Sequence, residues 1–318
     1  VLVRILSTFP ILEVLIRHLY WKSLAFNRLV NYMQRIRSKP REDRAAIAPS
    51  ILESKLFELG VRHGDTLIVH SAFSELKRFN MTPDEVIDLL LKAIGVEGNL
   101  IMPAIPLFKA QPEPFHRFDL ANYKCIPVYD LKKTRVWTGL LPQTLLRRPG
   151  ALRSRNPLNS MVVFGRDSKA LIDYEYFDEE SLACGYGSVL ANSLKYNSKI
   201  LFLGVDEVHS MTMIHVAEDL YPADWPVENW YWKRKFEIVD GDFHRVMELR
   251  ERNPKWALFY AERRFSSDLL SSGVLKRLDL EGFNMSICES NLLVGFLRSK
   301  NNKAYPYFVP GFKLRRGV

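Results

Sequence analysis

The sequence predicts an α/β protein in which a sheet is flanked by helices and a basic helical arm precedes it. Three observations predict this. Strand, helix and strand alternate over 66–103, the pattern of a right-handed βαβ unit. A short, wholly apolar run recurs at Ile200-Leu201-Phe202-Leu203, ending at Gly204, as in a buried strand. The excess of positive charge lies before residue 42, so the basicity belongs to an appendage and not to the core.

With 318 residues, 47% of them hydrophobic and 25% charged, the chain can bury a substantial core, and no stretch is biased enough in composition to be disordered. We place the arm at 1–45 and one α/β domain at 46–318. The net charge of +9 first looks like a nucleic-acid signal. However, residues 1–41 hold Arg4, Arg17, Lys22, Arg28, Arg35, Arg37, Lys39 and Arg41 against Glu13 alone, which is +7, and leave only +2 for the rest. No nucleic-acid partner is expected. Cys125, Cys184 and Cys288 are odd in number and widely scattered, without metal-ligand spacing or a disulfide framework. A reducing, cytoplasmic setting and no metal are the expectations.

The elements follow in order. Residues 11–37 carry a helical rhythm of apolar residues and spaced cations, with Pro10 before and Pro40 after. Two readings stand: a helical arm packed on its own domain or on a second subunit, or an amphipathic helix lying at the inner membrane surface, where anionic lipid contributes about 1 kcal/mol per nearby cation. Charges interrupt the apolar runs, so neither a spanning helix of about 20 apolar residues nor a signal-peptide core is expected. A polar connector over 39–50 leads to a helix that Gly60 closes. Thr66-Leu67-Ile68-Val69-His70 reads as a strand, Thr82-Pro83-Asp84-Glu85 opens a helix that runs to Ile94, and Asn99 to Pro103 forms the next strand. Residues 104–137, rich in Pro and aromatics, read as a long binding loop. Beyond it we expect a helix at 139–148, a strand at 161–165, a helix at 188–195, a strand at 200–204 and a helix at 212–220. A hairpin should turn at Asp240-Gly241.

Three stretches could carry chemistry. The first strand ends in His70-Ser71-Ala72-Phe73-Ser74, a small, hydroxyl-rich loop at the sheet's carboxyl edge, where α/β proteins commonly hold ligands; an ordinary strand end is the plain alternative. From Lys132 to Arg155 seven cations (Lys132, Lys133, Arg135, Arg147, Arg148, Arg153, Arg155) occur without one acid, which suits a phosphate-bearing ligand or simply a solvated face. Spacing of three puts His215 and Glu218 on one helix face, either as an acid–base pair or as a structural one.

Together, GDTLIVHSAFS, LPQTLLRRPGALRSRNPLNSMVVFG, GYGS and LFLGVDEVHSMTMIHVAED, in this order, resemble the aminoglycoside 3-N-acetyltransferase family over about residues 50–310. The resemblance implies a central mixed sheet flanked by helices and transfer of acetyl from acetyl-coenzyme A to a sugar amine. It further implies that His70, Ser71, Ala72, Phe73 and Ser74 meet the pantetheine arm, that Thr138, Arg153 and Ser154 lie near the cofactor, and that Glu218 is the acidic group of the amine site. With the basic run, it puts the coenzyme's phosphates near Arg135 or Arg153. The chain departs from the family pattern where relatives read arginine-serine-x-histidine-proline. Here the residues are Arg153-Ser154-Arg155-Asn156-Pro157, with Asn159 replacing a second frequent histidine, and Leu182 or Cys184 where relatives place the histidine paired with the acid. Glu218, or His215 beside it, is left to act alone, or Cys184 serves as an acyl-accepting nucleophile; an inert buried thiol is the plain alternative.

The expected function is acyl-coenzyme A-dependent N-acylation of an amino sugar, such as a nucleotide- or lipid-linked precursor of a surface polysaccharide. Trp225, Trp230, Tyr231, Trp232, Lys233 and Arg234 make an aromatic, basic acceptor region suited to an anionic carrier, unless the tryptophans pack the core. The rival reading is a binding or assembly module that keeps the fold without the base.

Overall fold

The computed structural model describes residues 2–37, 45–300 and 304–315. In chain order the described strands are β1 (Thr66–Ser71), β2 (Asn99–Pro103), β3 (Val128–Asp130), β4 (Leu152–Arg153), β5 (Met161–Gly165), β6 (Lys199–Leu203), β7 (Tyr231–Asp240), β8 (Phe243–Arg252), β9 (Leu275–Leu280) and β10 (Phe283–Glu289). Seven form one sheet in the order β4-β5-β2-β1-β6-β10-β9, and β3-β7-β8 form a second. β1 runs parallel to β2 and β6, while β5, β10, β9 and β4 join antiparallel, so the large sheet is mixed as expected.

The alternation of side chains along β1 explains why its run is apolar throughout. Leu67 and Val69 face one core layer with Leu100, Met102, Leu201 and Leu203, while Ile68 faces the other with Ile101, Ile200 and Phe202. Burying each such side chain contributes about 1.5–3 kcal/mol. Helix Pro83–Ile94 starts with a reciprocal cap: Thr82 accepts from the Glu85 amide and Glu85 from the Thr82 amide. It buries Val86, Ile87, Leu90, Ala93 and Ile94. The hairpin β7–β8 turns where expected, with Gly241 at φ 61° supplying the left-handed residue. The long loop is mostly irregular but contributes β3, three residues pairing in parallel with β7. The later helices are shorter than their patterns: Leu140–Leu146, Val189–Ser193 and Ile214–Leu220.

The arm is three helices, α1 (Leu2–Thr8), α2 (Pro10–Lys22) and α3 (Leu24–Arg37), and not the single run expected over 11–37. Ser23 breaks it: its backbone is extended and its hydroxyl accepts from the Phe26 amide, so a serine that favours helix starts begins a new helix. α2 seats on the core. Val14 and Glu13 are buried, Glu13 accepts from the Arg263 amide at 2.9 Å, Arg17 pairs with Glu262 at 3.0 Å, and His18 meets Phe259 edge-on. Lys39 and Arg41, and the side chains of Arg35 and Arg37, lie outside the described residues. Among the described residues no helix is long and apolar enough to cross a membrane.

Candidate active site

Two clefts meet at the carboxyl edge of β1. The first, about 390 Å³, is lined by His70 and Ser71 from β1, Pro103 from β2, and Trp137 and Thr138 from the long loop. The second, about 640 Å³, opens between α2 and the core. His209 and Thr212 line both, so the clefts share a waist.

His70 anchors this junction. It stacks on Phe202 with centroids 5.2 Å apart, and its Nε2 lies 3.3 Å from Thr212 Oγ1. Burial pushes its pKa down to about 4, so the ring is neutral at pH 7. Beside it, Thr138 lines the first cleft and donates its hydroxyl to the Pro103 carbonyl. The rest of the expected cofactor loop turns away. The Ala72 amide bonds the Leu203 carbonyl at 3.0 Å, and Phe73 and Ser74 enter a short helix, so of residues 70–74 only His70 and Ser71 line the cleft.

Arg153 and Ser154 correct the expectation further. Arg153 is 3% exposed, and its guanidinium donates to the carbonyls of Ala104 and Thr134 at 2.7 Å, to Leu131 at 3.2 Å and to Ser160 Oγ at 3.2 Å. A guanidinium bound to main-chain oxygens on this scale acts as a structural rivet, with its hydrogen bonds spent within the protein. Ser154 Oγ accepts from the Met161 amide and neither residue lines the first cleft. Exposed Arg135 lines a separate cavity of about 550 Å³ with Lys132, Lys133, Arg147 and Arg153. Arg148 and Arg155 are paired, with Asp88 and Asp240 respectively.

On the second cleft, His215 and Glu218 come together as their spacing requires, but in reversed order of access. Glu218 is buried and does not line the cleft, whereas His215 does. Glu218 Oε2 lies 3.0 Å from His215 Nδ1 and accepts from Arg252 Nη1 at 2.9 Å, while its Oε1 accepts from the Tyr307 hydroxyl at 3.0 Å. Arg252 Nη1 also touches His215 Nδ1. Burial opposes ionisation of Glu218, yet His215 and Arg252 outweigh it and hold the carboxyl below its usual range. Burial and the Arg252 charge lower the His215 pKa, so the imidazole is neutral at pH 7. The carboxylate therefore lies behind the imidazole, and His215 is the member of the pair that reaches the cleft.

At the positions where the resemblance implies histidines, Asn159 Nδ2 donates to Cys184 Sγ at 2.8 Å, and the Cys184 amide donates to Asp219 at 2.9 Å. Burial and Asp219 raise the Cys184 thiol well above its usual value, which keeps it protonated at neutral pH. Burial also pushes Asp219 up to about 6, and Tyr231 donates to it. Trp225 and Trp230 are buried core residues, and Trp232 and Arg234 bond Glu251, so none of the residues expected to form the acceptor region lines the second cleft. The basic and aromatic lining comes instead from Arg17, Tyr20, Trp21, Arg117, Arg252 and Arg263. Sequence reasoning missed Asp219, which adjoins Glu218 in a quoted motif, and Arg252 and Tyr307, which no local pattern marks. Among the described residues no group of three or more His, Cys, Asp or Glu could hold a metal ion.

Known proteins resemble this architecture. The family model described as aminoglycoside 3-N-acetyltransferase matches residues 68–300. Aminoglycoside N(3)-acetyltransferase VII of Streptomyces paromomycinus is 31% identical over 199 residues, 60% of this chain and 66% of its own length. Aminoglycoside N(3)-acetyltransferase III from a Salmonella species is 28% identical over 231 residues, 71% of this chain and 73% of its own. The chain thus spans slightly under two thirds of the Streptomyces paromomycinus relative. Among solved structures, aminoglycoside acetyltransferase AAC(3)-Xa superimposes with a TM-score of 0.66 at 24% identity, covering 79% of this chain and 91% of its own. A binary complex of AAC-IIIb with CoASH gives 0.63 at 22% identity, covering 79% of this chain and 95% of its own. The matched span takes in β1 with His70 and Ser71, the His209–Thr212 waist and the His215–Glu218 helix, and the chain belongs to the aminoglycoside 3-N-acetyltransferase family.

Proposed function

We propose that this protein is an acyl-coenzyme A-dependent N-acetyltransferase whose acceptor is an amino sugar. The observation that carries this reading is the shared waist: two clefts meet at His209 and Thr212, and a carboxylate-backed imidazole lines one of them. The first cleft suits a pantetheine arm, since Val69, Pro103, Ile105 and Trp137 give it apolar walls and Ser71, Thr138, Ser210 and Thr212 set hydroxyls along them. Acetyl-coenzyme A supplies an acetyl group on a thioester. In the tautomer with its proton on Nδ1, His215 donates to Glu218 and leaves Nε2 to take the proton that a sugar ammonium must lose before its nitrogen attacks. The amine nitrogen then forms the C–N bond as the C–S bond breaks, and the imidazolium returns its proton to the departing thiolate. Glu218 is a positioning residue in this scheme, and His215 touches the acceptor.

The acceptor we favour is an amino sugar on an anionic carrier, as in a nucleotide- or lipid-linked precursor of a surface polysaccharide, because four arginines and only two glutamates line the second cleft. The arm supports a peripheral membrane site for such a carrier. Its outward side exposes Phe9, Leu15, Leu19 and Leu29 beside Arg4, Lys22 and Arg28, with no exposed acid among its described residues. A two-fold contact through this face would set cations against cations, which disfavours a second subunit there.

Thiol release from acetyl-coenzyme A in the presence of amino sugars tests the main reading. Release should depend on the acceptor, and His215→Ala should cut kcat by roughly 10²- to 10⁴-fold with coenzyme A affinity unchanged. A protein that binds coenzyme A yet releases no thiol with any amino sugar is the binding module instead. Flotation with phosphatidylglycerol vesicles tests the membrane reading, and full-length protein that stays unbound at low salt removes it.

A further inference from the structure

The charges of the second cleft are almost all answered from within. Arg17 pairs with Glu262, Arg252 with Glu218, and Arg263 with Asp206. Glu13 accepts from the Arg263 amide. Arg117 is the exception. Half-buried on the cleft wall, its guanidinium lies 4.1 Å over the Trp21 ring and 5.1 Å over Phe118, and it makes no hydrogen bond or ion pair with any described residue; its Nε is buried without a partner. Arg17 stands near enough to add repulsion to the cost of desolvation, and both lower the Arg117 pKa. Stacking on two rings offsets part of this cost but leaves the hydrogen bonds of the fork unmade. A guanidinium on a cleft wall whose two terminal nitrogens have no partner among the described residues suits an oxyanion.

We propose that Arg117, held on Trp21 of the arm, is the binding site for an anionic group, a phosphate or carboxylate, carried by the acceptor. This rests on the reading of the second cleft as the acceptor site, and it names the residue that discriminates anionic amino sugars from polycationic ones. It also makes the arm part of the acceptor site, since α2 supplies the ring on which the guanidinium lies. A polycationic aminoglycoside would meet an unanswered positive charge here, which costs affinity in the absence of a compensating acid.

The test is thermal unfolding of the full chain with glucosamine, glucosamine 6-phosphate, glucosaminuronic acid and inorganic pyrophosphate, each alone, beside coenzyme A as a control. The phosphate and carboxylate sugars and pyrophosphate should raise Tm in a salt-sensitive way and glucosamine should not. Arg117→Gln should weaken the anions' binding at least tenfold and leave the coenzyme A shift intact, and Arg117→Lys, which keeps the charge without the fork, should fall between. Phosphate acting alone identifies a phosphoryl carrier, and the uronic acid acting alone identifies a carboxylated sugar. Equal anion shifts in wild type and Arg117→Gln, or none in wild type, overturn the proposal. Loss of the coenzyme A shift in wild type would instead count against the acetyltransferase reading, so the two failures are separable.

Discussion

Substituting Glu218 by glutamine removes the one charge that Arg252, His215 and Tyr307 share. Breaking a buried pair from one side costs about 3–5 kcal/mol, and the low end applies because Arg252 reaches the cleft. The sign of its pH dependence follows from the depressed carboxyl. The stability that Glu218 contributes is present above the ordinary glutamate value near 4.5 and is lost as pH falls through its lower folded value. Denaturant melts should therefore separate wild type from Glu218→Gln at pH 7 and bring them together in strong acid; a constant gap would show that the charge is immaterial. The His215 imidazole, depressed as well, should give kcat/KM an acid limb below pH 6.5, with the rate still rising towards the pKa of the acceptor amine. Arg153→Met belongs at this scale too. It strands three carbonyls and a hydroxyl, and we expect a loss of roughly 3 kcal/mol in stability and unchanged salt dependence of coenzyme A binding, read by melts and calorimetry. An arginine in a cationic run and an arginine riveting a loop have the same sequence signature, because the partners are main-chain oxygens, which every residue has.

Elements were more legible than side chains. The βαβ unit, the capping box at Thr82 and the turn at Gly241 could be read because each is a local rule acting within a few residues. Ser23 could have been read in the same way, since a serine between two apolar helical stretches is a helix start, but the continuous rhythm on either side hid it. β3 escaped because three residues paired in parallel with a strand about a hundred positions later carry no pattern of their own. For the arm, Glu262 is the latch: burial opposes its charge, but His209 and Arg17 bring its pKa down to about 2. That contribution is present above pH 4.5 and lost only as pH falls towards 2. Glu262→Gln should thus expose the arm to limited proteolysis at pH 7 while fragments from the core stay resistant. Equal rates of arm cleavage in both proteins would mean that apolar contacts such as Val14 hold the arm alone.

At the scale of the molecule, the two clefts differ in how far along the chain their walls are drawn. The first gathers residues 69–212, from the ends of β1 and β2 and the segments that follow the central strands, whereas the second needs Leu6, Arg117, His215, Arg252 and Tyr307 at once. Spacing along a sequence cannot announce such a convergence, and the aromatic, basic stretch 225–234 does not reach the second cleft. The convergence also predicts an order of loss. At low urea, acceptor KM should rise before coenzyme A affinity falls, because the arm is the least embedded part of the second cleft. Coincident loss in parallel titrations would make arm and sheet one cooperative unit. The segment shared with the family is 68–300, and Tyr20, Trp21 and Tyr307 lie on either side of it. On the proposed reading of the second cleft, part of the acceptor wall is therefore encoded outside the shared segment, and a chimera that exchanges only the flank before residue 68 should change acceptor preference and leave the lining of the first cleft as it is.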